Sequence, residues 1–174
     1  MIRQKVMILV VLLIVVAGMA YYTINGGVSF SKEGKEVNDK PVQAEAEPGT
    51  SYTIGDEVVL NQLALTVNGV RVEQVEGSNE SQYVIVDISI ENQRSNMHEF
   101  TLHKLTLADE EGYAYEHTLQ IETKGILGGQ ISSGRTVRGE VAFLVPTQQK
   151  YELVYTDHLR TGQVIWDIEV NTGE

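Results

Sequence analysis

The chain of 174 residues contains no cysteine. That excludes a disulfide framework, thiol nucleophiles and thiolate metal sites. It also removes the sulfur to which an N-terminal lipid anchor would be attached. Proline is scarce, at 3 residues, so most turns fall to the 16 glycines and to Asn, Asp and Ser. Basic residues number 13 against 24 acidic ones, for a formal charge of −11. Arg3 and Lys5 are the only charges before Lys32, so the remainder is more acidic still. Such a surface repels phosphate backbones and anionic lipid heads, which argues against nucleic acid as a partner. Beyond residue 51 no long segment carries the apolar spacing of a helix.

One long hydrophobic run is present. Residues 1–5 are short and basic, and residues 6–22 carry no charge. As a helix, residues 6–24 would span about 28 Å, close to the hydrocarbon thickness of a bilayer. Tyr21 and Tyr22 fall where an interfacial aromatic belt belongs. Gly18-Met19-Ala20 offers a signal peptidase small residues, but a mediocre site. The run is thus a transmembrane anchor or a cleaved signal, and the anchor is the better match. Arg3 and Lys5 place the N-terminus in the cytoplasm and the rest outside. Residues 25–51, rich in Gly, Lys, Glu and Ala, read as a flexible linker of about 30 Å end to end.

From residue 52 to 174 the pattern is strands and turns. In residues 82–92, Val84, Val86, Ile88 and Ile90 alternate with Tyr83, Ile85, Asp87, Ser89 and Glu91. That period of two, β-branched on the inward side, is a central strand with one buried face. Leu63, Leu65 and Val67 alternate up to Asn68-Gly69, a pair suited to a turn or bulge, after which Val70 and Val72 resume on a new phase. A phase slip occurs near His103-Lys104, and Asp109-Glu110-Glu111-Gly112 reads as a hairpin turn. Val137, Val141, Phe143 and Val145 share a face, as do Val164, Trp166, Ile168 and Val170. Seven to nine strands at roughly ten-residue spacing predict an all-β, antiparallel, immunoglobulin-like sandwich behind one N-terminal helix.

Several segments together resemble the bacterial domain-of-unknown-function family 4352. They are Tyr52-Thr53-Ile54-Gly55-Asp56, the central strand ending in Glu91-Asn92, Leu105-Thr106-Leu107-Ala108-Asp109 with Gly112-Tyr113, Gly139-Glu140 leading through Phe143 to Val145-Pro146, Tyr151-Glu152-Leu153 and Ile165-Trp166. The resemblance implies an exported immunoglobulin-like sandwich with no known catalytic residues. Many relatives are lipoproteins, but without cysteine that mode of attachment does not carry over.

Sites of chemistry are few. Met97, His98 and His103 suggest copper, yet the histidines are five apart in a strand-like stretch, which sends them to opposite faces unless the phase slip re-aims one. Asp109-Glu110-Glu111 lacks the alternating spacing of a calcium loop. Ser132-Ser133 has no nucleophile elbow, and Glu140 and Glu152 read as outward polar positions. The expectation is therefore no catalytic residue, no cofactor and no metal ligand set. Leu119, Ile121, Ile126 and Leu127 stand apart as apolar residues in a connecting segment, either an exposed recognition tip or a cap on the core. The composite reading is a non-enzymatic, membrane-anchored extracytoplasmic module for an unknown protein or cell-envelope component. The alternative is an exported binder of a small ligand or metal, and the third choice a secreted protein of unknown activity.

Overall fold

The computed structural model describes residues 43–157 and 162–170. Residues 1–5, the hydrophobic run 6–24 and the linker as far as residue 42 lie outside the described residues. In chain order the strands begin with β1 (Gln43–Glu45), β2 (Ser51–Tyr52), β3 (Glu57–Leu60), β4 (Leu63–Gln74), β5 (Ser81–Asn92) and β6 (His98–Phe100). A 3₁₀ turn, Leu102–Lys104, precedes β7 (Leu105–Asp109), β8 (Ala114–Tyr115), β9 (His117–Thr118) and β10 (Gly129–Ile131). The series closes with β11 (Thr136–Pro146), β12 (Lys150–Thr156) and β13 (Gln163–Glu169). Among the described residues there is no α-helix.

Six strands form one sheet in the order β1-β3-β4-β5-β11-β9, and five form another in the order β2-β13-β12-β7-β8. β10 and β6 make a short separate ribbon. The anticipated central strand is β5, which pairs antiparallel with β4 on one side and β11 on the other. Its inward residues Val84, Val86, Ile88 and Ile90 are buried with Val141, Phe143 and Val145 of β11. The other sheet contributes Leu105, Leu107, Leu153, Tyr155, Trp166 and Ile168 to the same core.

Three sequence expectations need correction. The sheets are mixed rather than wholly antiparallel, because β1 pairs parallel with β3 and β2 parallel with β13. The strand number exceeds seven to nine because several strands are only two or three residues long, too short to display a period. The stretch read as linker already joins the sheet at Gln43–Glu45, and the Ala46 amide donates to the Val59 carbonyl at 2.9 Å. Backbone hydrogen bonds hold these residues in place, a term that composition does not reveal.

Asn68-Gly69 is a bulge within β4, where the register against β5 shifts between Val67 and Gly69. Asn61 and Gln62, both at positive φ, form the two-residue connection of the β3–β4 hairpin. The Asn that ends β5 has a structural task. Asn92 Nδ2 donates to the carbonyls of Asn96 (2.8 Å) and Ile131 (2.9 Å), while its Oδ1 accepts from the Arg94 amide at 3.1 Å. Buried Tyr151 similarly ties the far end: its hydroxyl donates to the Pro146 carbonyl and accepts from Gln82 Nε2 and the Gln148 amide. Burial pushes the Tyr151 hydroxyl above its ordinary pKa.

Candidate functional site

The chain after β7 does not return as one strand. β8 pairs back on β7, but β9 has moved to the opposite sheet and pairs with Phe143 and Ala142 of β11. The crossing falls at Glu116, between the two. Beyond Thr118 the chain leaves β11, then regains it where Gly125 bridges Gly139 and Lys124 O accepts from the Glu140 amide at 2.8 Å. The return depends on two glycines. A Cβ on Gly125, at φ +72°, would lie 2.8 Å from the Arg138 carbonyl oxygen, and one on Gly139 would lie 3.0 Å from the Leu127 amide nitrogen.

Between these anchor points the segment folds across the outward face of the six-stranded sheet. Tyr83 bonds Gln120 at 3.4 Å and Arg71 donates to the Glu122 carbonyl at 3.3 Å. This cover accounts for Ile85 and Ala142, which face outward yet are only 1% exposed. The same face carries an ion-pair lattice. Arg138 grips Asp87 with two nitrogens, at 2.6 and 2.9 Å, and Arg71 pairs with Glu140 at 3.0 Å and with Glu73. Asn68, at the bulge, donates to Asp87 and Ser89. Arg138 holds the Asp87 carboxyl below its ordinary pKa, and Arg71, against the opposing effect of burial, does the same to Glu140.

The four apolar residues of the segment separate accordingly. Leu119 and Ile126 are each 84% exposed, Ile121 is half-buried, and Leu127 is 3% exposed and part of the core. Leu127 thus caps the core, while Leu119 and Ile126 flank a groove of about 470 Å³ that is also lined by Phe100, Leu102, His103 and His117.

The remaining sequence candidates go to separate places. His98 is buried beside Arg94, with its Nδ1 2.6 Å from that guanidinium. His103 is exposed on the 3₁₀ turn, where its ring meets His117 edge-on, 5.0 Å between centres. Met97 is exposed. The Asp109 carboxylate is the keystone of its turn, accepting from the amides of Glu111 and Tyr113 and the Tyr115 hydroxyl. Burial works to raise its pKa, but those donors prevail and hold it low. Ser133 donates to the Arg94 carbonyl at 2.6 Å, and Glu152 lies on the other sheet from Glu140.

Two clusters were not foreseen. Asp157 gathers Asn61 at 3.1 Å, Lys104 at 3.4 Å and Arg94 at 3.7 Å in a nearly buried polar group. The His103–His117 pair is the other. Both join residues far apart in sequence, and no local pattern marks them.

Solved structures of similar fold come from bacteria. The yjhA protein from Bacillus subtilis superposes with a TM-score of 0.54 at 18% identity, over 68% of this chain and 99% of its own. The secreted protein MPT63 from Mycobacterium tuberculosis gives 0.53 at 16% identity, over 68% and 98%. The ycdA protein from Bacillus subtilis, described as a candidate lipoprotein, gives 0.51 at 16% identity, over 63% of this chain and 37% of its own. No curated protein matches the chain significantly. Residues 52–167, from β2 into β13, match one family throughout, and the chain belongs to the family described as Domain of unknown function (DUF4352).

Proposed function

We propose that this chain is an extracytoplasmic, non-enzymatic sandwich of immunoglobulin-like type, held at the outer face of the cell membrane by residues 6–24. Its role is recognition of a protein or an envelope polymer. The observation that carries this reading is the pair Leu119 and Ile126. Two large apolar side chains, each 84% exposed, stand on a segment fastened to β11 through β9 before Leu119 and through the Gly125–Gly139 bridge beside Ile126. Exposed apolar groups on a rigid frame favour association because little order has to be gained on binding. An extracytoplasmic location is supported by the uncharged run behind a basic start, and by the secreted protein and candidate lipoprotein among the similar folds.

The test is cosedimentation of the purified chain with isolated cell-wall polymer, and separately with a membrane-protein fraction in detergent. Association with either is expected, and Leu119→Ser with Ile126→Ser should abolish it without changing the circular dichroism spectrum. Association undiminished in the double variant, or none by the parent, rejects the tip as a recognition surface.

A further inference from the structure

His103 and His117 meet edge-on, with ring centres 5.0 Å apart. His103 comes from the 3₁₀ turn and His117 from β9, and both line the same groove. Nδ1 of His117 is buried with no hydrogen-bond partner among the described residues. An imidazole nitrogen sits about 2.0–2.1 Å from a bound transition metal, which puts each ring centre roughly 3.2 Å from the ion. With one nitrogen of each ring turned to a shared ion, centres 5.0 Å apart subtend an angle on the order of 100° there, within the range for tetrahedral or tetragonal coordination.

We infer that His103 and His117 form a two-imidazole site for a divalent first-row transition ion at the mouth of this groove, with its other coordination positions open. The donor set selects the ion. Neutral nitrogen donors favour Cu²⁺ above Ni²⁺ and Zn²⁺. Hard cations such as Ca²⁺ and Mg²⁺ need several oxygens. The carboxylate that also lines the groove, Glu140, is already engaged by Arg71 and by the Lys124 amide at 2.9 Å. Among the described residues no group of three or more His, Cys, Asp or Glu is placed to hold a metal. The site is therefore an exchangeable two-ligand one rather than a closed structural centre. It shares the groove with the recognition tip but uses other side chains: replacing Leu119 and Ile126 leaves both imidazoles in place.

The experiment is a calorimetric titration of the full chain in detergent with Cu²⁺ alone, joined to electron paramagnetic resonance of the loaded protein. One equivalent should bind, with hyperfine structure from two nitrogen ligands. His103→Gln and His117→Gln should each weaken binding by roughly tenfold or more and remove one nitrogen from the spectrum. His158→Gln should change neither. Should His117→Gln fail to fold, His103→Gln decides alone, since that side chain is exposed on a turn. Absence of Cu²⁺ binding, binding of equal affinity in His103→Gln, or a spectrum with fewer than two nitrogens overturns the site.

Discussion

Val86 is fully buried at the centre of β5, between Val70 and Val141 in register. An aspartate there would bring a charge into the space between the sheets with no partner, at a penalty of about 4 kcal/mol or more. Val86→Asp is expected to melt far below the parent or not to fold, and near-parent melting would mean that this face is not the packed one. Glu140 offers a contrast, because its charge is paired. Its side chain is 9% exposed against Arg71, which holds its pKa below the ordinary 4.5. A carboxyl whose pKa is lower folded than unfolded stabilises the fold above the unfolded value, and this contribution disappears as pH falls through the folded value. Glu140→Gln should therefore be less stable than the parent at pH 7, and the difference should shrink as denaturation is repeated below pH 4.5 toward pH 3. A difference that is constant across that range would show that the ion pair with Arg71 contributes nothing.

At the scale of elements, the bridge between Gly125 and Gly139 fixes the segment that carries the exposed tip. Gly125→Ala combines a left-handed backbone with a Cβ 2.8 Å from the Arg138 carbonyl oxygen. Such strain costs about 1–3 kcal/mol, and urea denaturation should show a loss of that order. An unchanged midpoint would mean that the segment is not held by this contact. The elements themselves were unevenly legible in the sequence. β5 and β11 announce themselves because one face is buried along most of their length, and a period of two survives. The slip at His103-Lys104 is the 3₁₀ turn, and Asn68-Gly69 is the bulge, because local chemistry sets both. β1, β2 and the split of β8 from β9 were not legible. β2 pairs with β13 and β9 with β11, both far along the chain, and two or three residues hold no pattern. The candidate tip was legible only as apolar residues out of place. Which of them faced outward depended on Gly125 and Gly139 meeting, and that is a tertiary fact.

At the scale of the whole molecule, the strongest contrast is between a domain rich in carboxylates and an N-terminal run with no charge. Anionic lipid surfaces repel the former, so nothing in the sandwich's net charge would keep it at a membrane. Under the proposed anchored reading, retention would fall to residues 6–24. Their length suits the bilayer, Tyr21 and Tyr22 suit its interface, and the small-residue site ending at Ala20 suits a peptidase poorly. A strongly apolar core of signal-peptide length argues for cleavage, so the two outcomes are separated by fractionating cells that express the full chain. Intact protein in membranes, released by detergent but not by salt or carbonate, is the expected result. Cleavage would remove that hydrophobic run, and the acidity of the remaining chain would not favour an anionic membrane surface. A soluble product whose first residue is Tyr21 would therefore convert the reading from anchored module to secreted one.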